Sequence, residues 1–126
     1  IMQIYDDASN EVQFKDDASP VTAADLAANA IICQHLQKLY PSIPIISEEN
    51  KHIAFSERKD WNTFWLVDPL DGTKEFIKRN GQFTVNIALI ENQHPIFGLI
   101  YAPALQLLYI TLQKKAYKGT SYSNLK

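Results

Sequence analysis

A helical period of apolar residues occupies the first third of the chain. Thr22 and Asp25 form a capping-box pattern, which predicts a helix that runs to about Tyr40, just before a proline. Asp25 lies one turn upstream on the apolar face of this helix, where a carboxylate is costly to bury without a partner. Residues spaced three and four apart form that face: Ala28, Ile32, Leu36 and Leu39.

In the second half of the chain, apolar and polar residues alternate with the two-residue period of a β-strand. Phe83–Ile90 alternates, Asn92–His94 predicts a hairpin turn into a strand at Ile96–Tyr101, and a third strand follows at Leu107–Leu112. Helices precede this antiparallel meander of three or four strands, which predicts a layered α+β or mixed α/β fold and argues against a Rossmann chain. The other predicted elements are a helix end at Ile1–Tyr5, strands at Glu11–Phe14, Pro44–Ser47 and Thr63–Val67, a loop at 15–20, a helical turn at Ile53–Arg58 and a short helix at Thr73–Arg79.

Composition excludes several classes of function. At 126 residues and 46% apolar content, the chain is about one domain long and can form a core. A net charge of -2, a pI near 5.9 and scattered basic residues give no support for a nucleic-acid groove or an anionic membrane surface. No segment has the apolar length of a membrane span. The single cysteine, Cys33, excludes an internal disulfide and fits a reducing compartment.

The candidate chemistry is concentrated where one apolar run ends. The strand at Thr63–Val67 leads directly into Asp68 and Asp71, two carboxylates three residues apart. Such oxygen ligands suit magnesium, which takes one or two carboxylates and leaves its other positions to water and substrate phosphate. Because Pro69 restricts the backbone, both carboxylates and the Leu70 carbonyl can point into one turn. The pattern favours metal-assisted phosphate chemistry.

A phosphate site is predicted beside these ligands. Gly72 removes side-chain obstruction, and the amides of Gly72 and Thr73 would stand at a helix N-terminus, which favours a phosphate. Each acidic residue also has an ordinary structural explanation. Asp25 could serve only the capping box, Glu48 could be a solvated loop residue, and Asp71 could cap a helix or lie in a hairpin turn.

Longer motifs resemble the magnesium-dependent, lithium-sensitive phosphomonoesterases of the inositol monophosphatase superfamily. Asp68–Thr73 is similar to the signature of that family, and Glu48–Glu49 fits its upstream acidic pair. Over nearly its whole length the chain resembles one branch more closely, the 3′(2′),5′-bisphosphate nucleotidases of the CysQ type. The segments that carry this resemblance are Ser19–Asp25, Trp65–Phe76, Gly81–Ile90 and Ile100–Pro103.

The resemblance implies a fold and a site. The fold would be part of an αβαβα sandwich, with helices packed on a largely antiparallel sheet. Thr73, hydrogen-bonded to Asp25, would position the attacking water and help to deprotonate it, and Glu48 would share in catalysis. About two or three Mg²⁺ ions would occupy the complete site. A first ion would bind Glu48, Asp68 and the Leu70 carbonyl, a second would bind Asp68 and Asp71, and substrate would contact these residues together with Gly72 and Thr73.

The resemblance also implies an activity and its limits. The substrate would be adenosine 3′,5′-bisphosphate, or its sulfated analogue, hydrolysed to AMP or adenosine 5′-phosphosulfate. The alternatives are an inositol or sugar monophosphatase of the same superfamily and a truncated, non-catalytic module. A complete member is about twice as long and carries a Trp-Asp motif in its second half, whereas neither Trp61 nor Trp65 precedes an aspartate. We therefore expect residues 1–126 to be the N-terminal part of one catalytic domain that needs its C-terminal half.

The expected setting is cytoplasmic, and the family resemblance is compatible with peripheral association with the cytoplasmic face of the inner membrane. The expected partner is the small nucleotide substrate, with no nucleic acid and no transmembrane segment. The residues favour no particular oligomeric state.

Overall fold

The computed structural model describes residues 1–6, 12–14 and 20–126; Glu11 of the predicted first strand and residues 15–19 of the predicted loop lie outside this part of the chain. The helices are α1 (Met2–Asp6), α2 (Ala23–Leu39), α3 (Phe55–Arg58) and α4 (Thr73–Ile77). The strands are β1 (Val12–Phe14), β2 (Pro20–Thr22), β3 (Ile45–Ser47), β4 (Thr63–Asp71), β5 (Thr84–Glu91), β6 (His94–Ala102), β7 (Leu107–Leu112) and β8 (Lys115–Gly119).

A six-stranded sheet organises the fold. Its strands follow chain order from β3 to β8; β3 is parallel to β4, and every later pair is antiparallel. A separate antiparallel pair, β1 and β2, precedes α2. The predicted layered α+β class with a largely antiparallel sheet is therefore confirmed.

The meander is longer than the sequence predicted. Its last strand, β8, was missed, because the Lys115–Gly119 segment carries too few apolar residues to give a clear alternating pattern. Two-residue turns with positive φ angles connect the hairpins at Asn92–Gln93 and Gln113–Lys114. Such turns match the right-handed twist of antiparallel strands, and they set the pairing of Glu91 with His94 and of Leu112 with Lys115; the β5–β6 register then shifts between Leu89 and Ile90.

Helix α2 covers one face of the sheet. Its capping box at Thr22 is present, and Asp25 and Ala28 are buried as predicted; Ala24, which the prediction did not include, is buried as well. The apolar face is less buried than predicted near its C-terminal end, where Leu39 is 66% exposed. Trp65 is buried on the sheet face that α2 covers. Side chains that point to the opposite face of the sheet are more exposed. Leu66 and Ile100 on that face are 46% and 47% exposed.

An aromatic cluster supports the end of β4. The rings of Phe76 and Phe83 lie 5.1 Å apart, and Tyr5 of α1 contacts both, at 5.1 and 4.9 Å between ring centroids. Ala24 and Leu70 complete this buried core. Large apolar side chains packed in this way restrict the backbone above them, so the cluster holds α4 against the start of α2.

None of the described helices is both long enough and apolar enough to cross a bilayer.

Candidate active site

The buried carboxylate of Asp25 is bound from its own helix terminus. The Thr22 backbone N–H and hydroxyl donate to Asp25 Oδ2 at 2.8 and 2.6 Å. Asp25 is 1% exposed, so these hydrogen bonds replace the water that an ionised group would otherwise require. The capping interpretation is correct for Oδ2, and it leaves Oδ1 available for another partner.

That partner is Thr73, 48 residues further along the chain. Thr73 Oγ1 lies 3.0 Å from Asp25 Oδ1 and 3.3 Å from the Leu70 carbonyl oxygen. The hydroxyl has one hydrogen, and the shorter distance and the carboxylate acceptor favour donation to Asp25. The hydrogen bond between Thr73 and Asp25 that the resemblance implied is present.

Residues Asp68–Asp71 continue the strand, which corrects the predicted end at Val67. Strand β4 extends to Asp71 with a shift in register between Asp68 and Asp71. Pro69 has no N–H with which to pair, so the ladder is interrupted there and resumes where Asp71 pairs with Thr84.

Helix α4 is also shorter than predicted. It ends at Ile77, and Arg79, which the prediction included, has a left-handed φ of 57° that a helix cannot continue.

Gly72 turns the chain from β4 into α4. Its φ is +90°, and a Cβ atom placed there would lie 2.8 Å from the Gln82 carbonyl oxygen and 3.3 Å from Phe83 Cα. Both the backbone angle and the available space therefore require glycine.

Replacing Gly72 with alanine is expected to lower the free energy of unfolding by about 2–3 kcal/mol, because the new methyl group is strained and meets backbone. Chemical denaturation of the purified protein measures this. Gly98→Ala is the matched control: the nearest atom to its Cβ is Thr111 Oγ1 at 3.8 Å, and we expect a change of less than about 1 kcal/mol. Equal losses in the two variants would contradict the steric explanation.

The carboxylates of Glu48, Asp68 and Asp71 lie close together. The pKa of Asp68 is raised to about 7, first by burial and then by the charges of Glu48 and Asp71 and a side-chain hydrogen bond with Glu48, against the lowering effect of the Leu70 N–H. That N–H donates to Asp68 Oδ1 at 3.2 Å. The parallel pairing of β3 with β4 brings Glu48 here, since its backbone N–H donates to the Val67 carbonyl at 3.1 Å. The fold thus collects like charges that repel one another.

These carboxylates are neighbours rather than a closed cage. Within the described part of the chain, no group of three or more acidic, histidine or cysteine side chains is arranged to hold a metal ion. Magnesium commonly takes only one or two protein carboxylates, with water and substrate phosphate completing its octahedron. Asp68 and its neighbours Glu48 and Asp71 form an all-oxygen donor set, and a divalent cation would offset the charge repulsion that contributes, after burial, to the raised pKa of Asp68. The residues present fit Mg²⁺.

Asn86 is a site residue that the sequence reasoning did not single out. It lies on β5 directly opposite Asp68, and its Nδ2 donates to Asp71 Oδ2 at 3.1 Å. Its Oδ1 is buried and has no hydrogen-bond partner among the described residues. The available signal was an amide side chain within an apolar strand, but only the register shows which carboxylate it contacts.

A cavity of about 690 Å³ opens beside the acidic residues on the sheet face away from α2. Most of its lining is apolar, and basic side chains from the segment after β3 also line it. Lining residues include Ile46, Leu66, Ala88, Lys51, His52 and Arg58.

Comparison with known proteins shows the family of this chain. Residues 1–125 match the inositol monophosphatase family. This chain belongs to that family. Among family members, the 3′(2′),5′-bisphosphate nucleotidase CysQ of Salmonella typhimurium is 56% identical over 119 residues, covering 94% of this chain and 48% of the relative. The crystal structure of CysQ from Bacteroides thetaiotaomicron is 44% identical, with a TM-score of 0.80, covering 99% of this chain and 45% of that one.

A more distant family structure was solved with a metal. An IMPase/NADP phosphatase complexed with Mg²⁺ and phosphate has a TM-score of 0.79 and 20% identity, covering 93% of this chain and 44% of that one; at this identity the likeness shows the fold. The chain spans about half the length of the curated relatives it matches.

Proposed function

We propose that this chain forms part of a magnesium-dependent phosphomonoesterase that hydrolyses adenosine 3′,5′-bisphosphate to AMP and phosphate. The sulfated analogue would be converted to adenosine 5′-phosphosulfate in the same way. One observation carries the proposal: Asp68, which is crowded by Glu48 and Asp71, lies on the strand that leads to Thr73, and Thr73 is hydrogen-bonded to the buried Asp25. The chain is 56% identical to a 3′(2′),5′-bisphosphate nucleotidase over 94% of its own length, and this similarity supports the choice of substrate.

The proposed metal ligands are the oxygen donors of this cluster. Glu48, Asp68 and the Leu70 carbonyl would hold one ion, and Asp68 and Asp71 would share another, of about two or three in the complete site. Bound Mg²⁺ would neutralise charge on the phosphoryl oxygens and lower the pKa of water. Asn86 would hold Asp71 in place through its 3.1 Å hydrogen bond.

Thr73 and Asp25 would orient the attacking water. Because the Thr73 hydrogen points to Asp25 Oδ1, the lone pairs of Oγ1 are free to accept a hydrogen from that water. As the water attacks phosphorus, its proton would move to Thr73 Oγ1 while the Thr73 proton moves to Asp25. The amides of Gly72 and Thr73 would contact the phosphate, and the leaving group is the 3′ oxygen of the ribose.

We propose that residues 1–126 are the N-terminal part of a single catalytic domain. The chain spans 48% of a relative that is 56% identical, and the sheet face opposite α2 carries exposed apolar side chains such as Leu66 and Ile100. The remaining half of such a domain would cover that face and complete the site. The net charge of -2 and the lone Cys33 support a small-molecule substrate and a cytoplasmic location, without nucleic-acid binding.

The test is phosphate release from adenosine 3′,5′-bisphosphate with and without Mg²⁺, on this chain and on the complete protein that contains it. We expect release by the complete protein, inhibition by lithium and far slower turnover of inositol 1-phosphate. Preference for the inositol ester would instead support an inositol or sugar monophosphatase, which the family match favours as the second candidate. If neither ester were hydrolysed and no Mg²⁺ bound, a non-catalytic module would be the better description.

A further inference from the structure

A polar network ties α2 to the turn that carries Glu48. Ser47 Oγ donates to Asn29 Oδ1 at 2.6 Å, and Asn29 Nδ2 donates to Asn50 Oδ1 at 2.8 Å. The turn itself is closed by the Asn50 N–H, which donates to the Ser47 carbonyl at 3.2 Å. One carboxamide on α2 therefore holds both ends of residues 47–50.

The network uses both ends of the amide at position 29. Asn29 accepts at one end of the turn and donates at the other, so an aspartate would keep the bond from Ser47 but could no longer donate to Asn50 Oδ1. The Cys33 thiol also donates to Asn29 Oδ1, at 3.2 Å, which keeps the amide in this orientation. Ser47 is 7% exposed, so its hydroxyl needs this partner.

The network determines where Glu48 can reach. The Glu48 side chain is exposed, and its backbone N–H is bound to the Val67 carbonyl of β4. The turn is therefore fixed to β4 on one side and, through Asn29, to α2 on the other. Without the second attachment, the turn would be held only from the β4 side, by the Val67 bond and by the side-chain hydrogen bond between Glu48 and Asp68, and the carboxylate could shift relative to Asp68.

We propose that Asn29 is a positioning residue for Glu48, which sets the distance between Glu48 and Asp68 and hence the metal affinity of the site. The role of Glu48 as a ligand rests on the proposed function. The position of its turn does not depend on that function, so the two can be tested separately.

The first test is Mg²⁺ dependence in the complete protein. Asn29→Ala is expected to raise the Mg²⁺ concentration for half-maximal turnover about 10-fold, the usual effect of losing a group that orients a ligand, with kcat at saturating Mg²⁺ changed less than about 3-fold. Asn29→Asp should give an intermediate shift. Gln34→Ala, an exposed amide on the same helix, is the matched control and should leave the Mg²⁺ requirement unchanged. Calorimetric Mg²⁺ titration gives a second readout without turnover.

The second test needs no activity. In the metal-free protein, hydrogen exchange measured by NMR should be about 10-fold faster at the Glu48 amide in Asn29→Ala, while the amides of β5 keep wild-type rates. If Glu48 exchange and Mg²⁺ requirement both stay at wild-type values in Asn29→Ala and Asn29→Asp, the inference is wrong, even if melting temperature falls. A wild-type protein without Mg²⁺ binding or turnover would instead refute the proposed function, and the exchange rates would still decide the role of Asn29.

Discussion

Replacing Asp68 with asparagine is expected to reduce turnover of the complete enzyme at least about 100-fold. Loss of a group that only orients a metal ligand commonly lowers metal affinity or activity about 10- to 100-fold. Asp68 is itself a proposed ligand and is shared by two ions, so its loss should have a larger effect. Its position beside both Glu48 and Asp71 makes it the centre of the acidic cluster. Initial rates at increasing Mg²⁺ measure the effect. Normal turnover of Asp68→Asn at low Mg²⁺ would show that Asp68 is not a ligand.

The same substitution should stabilise the metal-free protein at high pH, which separates lost chemistry from lost fold. The pKa of Asp68 is about 7 in the folded protein and 3.8 for an exposed aspartate, because of burial and the charges of Glu48 and Asp71. Between these values the unfolded chain releases a proton that the folded protein keeps, so this group makes stability fall as pH rises from about 4 to 7. Asparagine does not titrate, and its carbonyl can still accept from the Leu70 N–H.

Denaturation in the presence of a chelator, at pH 4.5 and pH 8, checks this pH dependence. The stability of Asp68→Asn relative to wild type should increase between the two pH values. A relative stability that is constant or decreases with pH would contradict the raised pKa of Asp68. Asp71→Asn lowers the repulsion too, but Asp71 is exposed, so its effect on stability should be smaller.

Replacing Thr73 with alanine is expected to lower kcat about 100-fold or more while the affinity for Mg²⁺ changes much less. General acid–base groups typically contribute 10²- to 10⁴-fold, and the Thr73 hydroxyl is the group that Asp25 orients at 3.0 Å. The metal ligands are not removed by this change. Turnover at saturating Mg²⁺ and a calorimetric Mg²⁺ titration give the two quantities separately.

Thr73→Ser is the matched control, because it keeps the hydroxyl and loses only a methyl group. It should retain most of the activity. Equal losses of turnover and Mg²⁺ affinity in Thr73→Ala would argue against water positioning and would place Thr73 among the groups that organise the metal site. Removing Asp25 is a poorer test, since its buried oxygens accept three hydrogen bonds and their loss would also destabilise the helix terminus.

Local features of the fold could be predicted because they depend on residues close in sequence. The capping box at Thr22 and Asp25 predicted the start of α2, and the alternation after Phe83 predicted β5. Errors occurred where neighbours in space override the local pattern. Leu39 has helical spacing but is 66% exposed, and β8 has a weak pattern yet is held by its pairing with β7.

The sequence by itself determined the donor types of the site and the turn that presents them: carboxylates at Asp68 and Asp71, and a glycine at 72. Tertiary structure decided which groups meet. The contact of Thr73 with Asp25 spans 48 residues and was implied only by the family resemblance, and the attachment of Asn29 to the Glu48 turn was not anticipated. Such contacts depend on strand register and on how α2 packs across β4, because two residues far apart in sequence meet only when the intervening elements have taken their places.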